Sequence, residues 1–199
     1  MKLPNGKIGA VAGGLALAVA FIGGWEGLRL TAYPDRLAGG LPTVCYGETR
    51  GVSLGDSYTK AECDAMLEAA VVQFETGLDR CMTPPTPLPL ETKVAFVSWA
   101  YNVGTGAACG STLVRMVNRG DYDGACNQLP RWNRADGRVV QGLTNRRNAE
   151  RDLCLSGLEE QHDRLSEEPE PEPAPPEPAP PEPAPPEPAP PEVILNRKC

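Results

Sequence analysis

The chain is poor in the residues that build metal and nucleotide sites. Its 199 residues include one histidine, His162, and no cysteine–histidine cluster has the spacing of a metal site. No glycine-rich phosphate loop is present, and lysine and arginine form no basic stripe. We therefore expect no metal, no cofactor and no nucleic-acid partner.

Most of the negative charge comes from one low-complexity segment. The formal net charge is −7, yet residues 167–192 hold eight Glu and no basic residue, so the rest of the chain is close to neutral. Within this segment Pro-Ala-Pro-Pro-Glu occurs four times. Proline fixes φ and removes a backbone donor, which prevents a packed core. We expect residues 163–199 to be a disordered, extended tail that rises about 3.1 Å per residue.

The N-terminal segment lacks charge and large side chains. Residues 8–25 are an uncharged run of 18 residues with five Gly and five Ala, preceded by Lys2 and Lys7. This length is the short limit for a membrane-spanning helix, and the lysines predict a cytoplasmic N-terminus. Lipid would hold the run weakly, because each missing CH₂ removes about 0.8 kcal/mol of apolar transfer. We assign residues 1–24 to a signal-anchor segment, with a permanent anchor and a signal peptide cleaved after Ala20 as alternatives.

Seven cysteines are many for a chain of this size, and six of them lie within residues 45–154. This count predicts disulfides and an oxidising compartment, with 15 possible pairings of the six. We expect Cys126–Cys154 and Cys81–Cys109, which leaves Cys45–Cys63. Cys199 is then unpaired and could link two chains, although we expect a monomer.

Cap and breaker signals outline the helices. Thr59 and Glu62 form a capping box, which predicts a helix from there to about Leu78. Further helices are predicted at residues 91–103, from Ser111 or Thr112 to residue 118, at residues 121–129, and at residues 146–153 with Thr144 and Asn145 as the cap. Residues 131–143 are predicted to be a polar loop.

Two carboxylates and a hydroxyl follow the apolar run. Asp35 lies nine positions after Glu26, and Thr43 lies eight positions after Asp35. Residues 33–35 and 38–40 are predicted turns, and residues 42–46 a short strand. Glycoside hydrolysis uses one carboxyl group to protonate the leaving oxygen and a second to support attack on the anomeric carbon. Spacing alone is more typical of two solvated surface charges.

The amino-acid identities in this stretch are more specific than the spacing of its carboxylates. Residues 26–35 (EGLRLTAYPD) and 42–49 (PTVCYGET) resemble the catalytic segment of phage-type lysozymes, glycoside hydrolase family 24. Residues 100–104, 120–122 and 142–147 resemble the same family in the same order. Two departures are a loop at residues 36–42 that is about two residues longer and Glu48 where many members carry His.

The resemblance implies both a fold and a set of site residues. It implies an α+β, mainly helical, lysozyme-like domain with a small β-hairpin region at residues 25–162. Glu26, Asp35 and Thr43 match the catalytic positions, and Arg146 matches an arginine that lies beside the catalytic glutamate. Glu26 would be the general acid, Asp35 would support a water or act on the carbon directly, and Thr43 would hold that water.

The implied function is that of an endolysin. Such an enzyme cleaves the bond between N-acetylmuramic acid and N-acetylglucosamine in the glycan strands of bacterial peptidoglycan and lyses the host cell. One alternative is a membrane-anchored, periplasm-spanning adaptor without activity. Another is a lytic transglycosylase, which needs only one catalytic glutamate, so that Asp35 discriminates.

Residues 8–25 are also similar to the uncleaved, Gly/Ala-rich anchors of signal-arrest-release endolysins in this family. That similarity implies export to the periplasmic side of the host inner membrane. Contact with the membrane through residues 8–25 would precede release into the periplasm.

Overall fold

A computed structural model describes residues 12–35 and 39–167 of the chain. The predictions for the Pro/Glu repeats and Cys199 lie outside these residues. The described helices are α1 Ala12–Glu26, α2 Lys60–Asp79, α3 Leu90–Val103, α4 Thr105–Cys109, α5 Thr112–Val117, α6 Tyr122–Cys126 and α7 Gln141–Glu167, with a 3-10 turn at Leu129–Arg131. The strands are β1 Arg29–Asp35, β2 Leu41–Cys45, β3 Arg134–Ala135 and β4 Arg138–Val139. The predicted α+β, mainly helical fold is confirmed.

Helix α3 lies at the centre of the core and packs against α1, α2 and α7. Its buried run from Val94 to Ala100 has no exposed side chain. Trp99 lies in this run, and its indole ring meets the ring of Trp132 edge-on at a centroid distance of 5.1 Å. Helix α3 therefore forms the rigid support against which the site is built.

Local signals set the start of α2 as predicted. Thr59 is the N-cap, its side chain accepts from the Glu62 N–H, and the Glu62 carboxylate accepts from the Thr59 N–H at 2.7 Å. This reciprocal pair satisfies two of the backbone donors that a helix start leaves unpaired. The helix ends at Asp79, close to the predicted end.

Helix α1 packs against α2 and α3 through few side chains. Ala18 and Ile22 are fully buried. A Cβ at Gly23 would lie 3.3 Å from the ring of Tyr46, so this glycine permits a close approach. Among the residues that the structure describes, no helix is long and apolar enough to cross a membrane. The division of the chain after residues 24 and 162 stays a prediction.

The first hairpin corrects one prediction. Residues 33–35 were expected to form a turn but end strand β1, where Tyr33 pairs with Thr43 and Asp35 pairs with Leu41. Proline is tolerated here because it lies in a two-stranded ribbon where a missing N–H can be accommodated. The reversal instead includes Gly39 and Gly40, which both have the positive φ that favours glycine.

The C-terminal part departs further from the prediction. Helix α7 begins five residues before the expected start and continues to Glu167, so Thr144 lies inside the helix and donates to the Val140 carbonyl at 3.1 Å. The expected loop contains the β3–β4 hairpin. Asp136 and Gly137 have φ values of 48° and 75°, and Asp-Gly is a strong hairpin signal that the prediction missed. Helix α4 was also not predicted.

Three disulfides connect the elements, and they are the three expected pairs. Cys45–Cys63 joins β2 to α2, Cys81–Cys109 joins the end of α2 to α4, and Cys126–Cys154 joins α6 to α7. Closing loops of this size stabilises a fold by about 3 kcal/mol each in the chain-entropy account. The first disulfide ties the hairpin that carries Asp35 and Thr43 to the helical body.

Candidate active site

A cleft of about 340 Å³ opens between the first hairpin and the helices. Its lining combines the end of α1, the hairpin, the loop after β2 and the last turn of α3: Glu26, Gly27, Tyr33, Asp35, Thr43, Tyr46, Gly47, Thr49, Tyr101 and Asn102. The structure thus brings Glu26, Asp35 and Thr43 to one cavity. Their catalytic roles remain predictions at this point.

Glu26 is the last residue of α1 and contacts Arg146 on α7. Its Oε1 accepts a hydrogen bond from Arg146 Nη1 at 2.6 Å. The Glu26 side chain is 20% exposed and that of Arg146 5% exposed, so the pair lies at the wall of the cleft with one side toward solvent. A charge-assisted contact of this kind fixes the orientation of the carboxylate.

Asp35 and Thr43 face the same side of the hairpin. Tyr33 pairs with Thr43 and lies two residues before Asp35, and alternate residues of a strand point to one face. Thr43 is buried, and its hydroxyl donates to the Leu41 carbonyl at 3.0 Å. With its proton committed in this way, the Thr43 oxygen can act toward the cleft only as an acceptor.

All three guanidinium nitrogens of Arg146 are engaged. Besides the bond to Glu26, Nε donates to Glu150 Oε1 at 3.1 Å and Nη2 donates to the Ser98 carbonyl at 3.2 Å. These partners lie on three different helices. The position of this side chain is therefore set by the packing of α1, α3 and α7 together.

The sequence matches the phage lysozyme family over residues 23–150, a range that includes every predicted site residue. This chain belongs to the phage lysozyme family. The SAR-endolysin of Bacteriophage PS119 is 39% identical over 164 residues, which cover 78% of this chain and 95% of that relative. The SAR-endolysin of Enterobacteria phage P21 is 38% identical over 159 residues, covering 75% and 94%.

Solved structures support the same assignment. The muramidase domain of SpmX from Asticaccaulis excentricus is 28% identical with a TM-score of 0.63, covering 70% of this chain and 95% of that domain. The active form of the P1 phage endolysin Lyz is 25% identical with a TM-score of 0.64, covering 79% and 98%. The fold is therefore lysozyme-like, and the protein is a lysozyme-type hydrolase.

Sequence reasoning missed a buried charge cluster behind the cleft of this lysozyme. Glu150 and Arg147 on α7 are both fully buried. Arg147 Nη2 donates to Glu150 Oε1 at 2.9 Å, and Ser98 Oγ donates to the same oxygen at 2.7 Å. Burial lowers the pKa of Arg147 to about 10. Burial also raises the pKa of the Glu150 carboxyl, an effect that the charges of Arg147 and Arg146 oppose.

Two tyrosines of the cleft lining are held by hydrogen bonds. Tyr101 donates its hydroxyl to the Tyr46 carbonyl at 2.8 Å, and burial raises the Tyr101 pKa, so the phenol stays a neutral donor. Tyr46 in turn donates to Asp64 Oδ1 on α2 at 2.8 Å. Glu48 does not line the cleft and instead pairs with Arg50 at 3.0 Å.

Within residues 12–35 and 39–167, no three His, Cys, Asp or Glu side chains are arranged to hold a metal ion.

Proposed function

We propose that this lysozyme hydrolyses the bond between N-acetylmuramic acid and N-acetylglucosamine in peptidoglycan and so lyses a bacterial host. The observation that carries the proposal is the common cleft, to which α1 supplies one carboxyl group and the hairpin supplies a second with a buried hydroxyl. Hydrolysis of a glycoside requires a proton donor and a group that supports the attack. The name of the SpmX muramidase domain agrees with this bond type.

Glu26 is the general acid in this mechanism. Its Oε1 is occupied by the short contact with Arg146, so the proton is carried on Oε2 and is delivered to the glycosidic oxygen. Partial burial and the fixed orientation keep that proton aimed at one position in the cleft.

Asp35 and Thr43 act on the other reactant. A water molecule that donates one hydrogen to Thr43 Oγ1 and the other to the Asp35 carboxylate presents its lone pair to the anomeric carbon. As the carbon–oxygen bond forms, the water proton passes to Asp35, and the product is a sugar with a free reducing end. Direct attack by Asp35 would give the opposite stereochemical outcome, which NMR of the first-formed anomer distinguishes.

The test is the loss of turbidity of purified cell walls. Glu26→Gln keeps the shape of the side chain but removes the acid proton, and we expect a rate loss of at least about 10²-fold. Asp35→Asn should lose a similar amount, and Thr43→Ala less. Wall hydrolysis within twofold of wild type by Glu26→Gln, at matched circular dichroism, would refute the assignment. Anhydro sugars in place of reducing ends would instead identify a lytic transglycosylase.

We also propose that residues 8–25 first tether the chain to the periplasmic side of the inner membrane and later leave it, with residues 12–26 then docking as α1. The SAR-endolysin relatives support this proposal. So does the composition of the helix, because its glycines and alanines give lipid little apolar area to hold.

Gly13 and Gly24 allow a clean test of release. At either position a Cβ would meet no group within 4 Å outside its chain neighbours and the backbone of its own helix, so both sites open onto free space. Gly13→Leu/Gly24→Leu should strengthen lipid anchoring by about 1.5–3 kcal/mol per side chain, so the chain stays in the membrane fraction longer after an uncoupler is added. Gly13→Ser/Gly24→Ser is the control, with the same sites filled by a polar group. N-terminal sequencing of soluble wild-type protein decides the outcome, since a chain beginning at Phe21 would show cleavage and overturn release.

A further inference from the structure

Behind Arg146 lies a carboxylate that does not reach the cleft. Glu150 is fully buried on α7 and is absent from the cleft lining. Its Oε1 accepts from Arg146 Nε at 3.1 Å, from Ser98 Oγ at 2.7 Å and from Arg147 Nη2 at 2.9 Å. The catalytic scheme above uses none of these contacts directly.

The geometry of Arg146 indicates that Glu150 helps to orient its guanidinium group. A guanidinium is planar, and its donors form a rigid fork, so two fixed contacts determine where the third donor points. Glu150 fixes Nε and the Ser98 carbonyl fixes Nη2. Nη1 is then directed to the place where α1 delivers Glu26.

We propose that Glu150 is a positioning residue of this lysozyme, which holds the Arg146 fork so that Glu26 keeps one orientation toward the glycosidic oxygen. The inference rests on the proposed role of Glu26. It adds a residue to the machinery that contacts neither substrate nor the reacting atoms.

The competing explanation is that Glu150 only neutralises the buried Arg147. The contacts argue against that explanation. Arg147 Nε lies 2.8 Å from Glu150 Oε2 but is not directed for a hydrogen bond, and Arg147 Nη1 has no hydrogen-bond partner among the described residues. Arg147 meets both carboxylate oxygens, with Nε 2.8 Å from Oε2 and Nη2 2.9 Å from Oε1, so Glu150 does neutralise it. Oε1 nevertheless also accepts from Arg146 Nε at 3.1 Å and from Ser98 Oγ at 2.7 Å, and neutralising Arg147 requires neither of these contacts.

The test compares Glu150→Gln with Glu75→Gln. Glu75 is also a buried carboxylate, 2.8 Å from Lys93 Nζ on α3, and it does not line the cleft. Both variants change one oxygen to an amide nitrogen. We expect kcat for wall hydrolysis, per folded molecule, to fall about ten- to a hundredfold in Glu150→Gln, with KM within about twofold, because misplacing a catalytic group by about 1 Å can cost about a hundredfold. Glu75→Gln should keep kcat.

A pH profile separates positioning from plain loss of stability. The titratable groups around Glu26 are Arg146 from α7, Tyr101 from α3, and Asp35 and Tyr33 from the hairpin that lines the same cleft. Arg147 and Glu150 lie behind Arg146. Without the negative charge of Glu150, the environment of the Glu26 carboxyl group is more positive, which favours its ionised form. The alkaline limb of the activity profile of Glu150→Gln should therefore move to lower pH by about 0.5–1 unit.

A second variant is used if Glu150→Gln fails to fold because the buried charge of Arg147 is no longer neutralised. Glu150→Gln/Arg147→Gln removes one charge of each sign, so the net charge behind Glu26 is unchanged. We expect it to show the lower kcat without the shift of the alkaline limb. If this variant, or a folded Glu150→Gln, retains kcat within twofold of wild type, then Glu150 is structural and the inference is wrong. Wild-type hydrolysis and the Glu26→Gln result test the proposed function separately, so the two failures are distinguishable.

Discussion

Helices α1 and α3 are apolar helices of nearly equal length, 15 and 14 residues, but the fold holds them very differently. Helix α3 buries eight residues, which include Phe96 and Trp99. In α1, Ile22 is the one large side chain that is fully buried among the described residues. Burial contributes roughly 25 cal/mol per Å² of apolar surface. The packing of α1 against the domain therefore contributes far less stabilising free energy than the packing of α3.

Both helices nevertheless end in the cleft. Helix α3 brings Tyr101 and Asn102 on a rigid core, whereas α1 brings Glu26 on a helix made of small residues. Glu26, the proposed acid, is therefore carried by a weakly held element and is fixed at its end by Arg146. Weakly held elements open at lower free energy than the core, which suits a segment proposed to move from membrane to domain.

The largest effect should come from breaking α3. Trp99→Ala removes a fully buried indole from the centre of the core, and we expect a loss of about 3–5 kcal/mol in the free energy of unfolding. Denaturant unfolding followed by circular dichroism measures it. Trp25→Ala in α1 is the matched control, because that indole is 37% exposed, and its effect should stay below about 1 kcal/mol. Equal losses in the two variants would remove the contrast between the helices.

Short-range signals account both for secondary structure that was predicted and for secondary structure that was missed. The capping box of Thr59 and Glu62 uses residues three positions apart, and it was predicted correctly. The distal part of α7 has few apolar residues, so its periodicity was weak, although its Glu, Gln and Arg residues are good helix formers. Local composition, rather than an apolar stripe, carries that helix beyond the predicted end.

At the site, the limit of prediction is long-range packing. Glu26, Asp35 and Thr43 could be predicted as site residues from the sequence of one segment and its resemblance to a family. Their common cleft depends on tertiary packing, which that segment does not encode by itself. Glu150 and Arg147 resemble surface residues in the sequence, because charged side chains are rarely buried unless paired. Their spacing of three positions on a helix was the available signal, but spacing gives no burial.

A smaller effect is expected at the one large buried contact of α1. Ile22→Ala should reduce the free energy of unfolding by about 2–3 kcal/mol, near the low end for such truncations, because a peripheral helix can move inward to fill space. Since Glu26 lies one turn further along, wall hydrolysis per folded molecule should also fall. Trp99→Ala should reduce wall hydrolysis per folded molecule less than Ile22→Ala does, when it is assayed without denaturant at a temperature where the variant is folded. If Trp99→Ala instead lost more activity per folded molecule than Ile22→Ala, α1 would not be the more weakly held of the two helices.

The smallest effect distinguishes two adjacent glycines and so tests how closely α1 sits on the domain. Replacing Gly by Ala in a helix stabilises it by up to about 1 kcal/mol when nothing obstructs the methyl group. At Gly24 no atom lies within 4 Å of the new Cβ, so Gly24→Ala should gain that amount. At Gly23 the Cβ would lie 3.3 Å from Tyr46 and 3.4 Å from Leu67, and Tyr46 cannot easily yield because Asp64 and Tyr101 hold its hydroxyl and carbonyl. Gly23→Ala should therefore be less stable than Gly24→Ala by about 1–2 kcal/mol in thermal unfolding, and equal gains at both positions would show that α1 sits further from α2 than the structure places it.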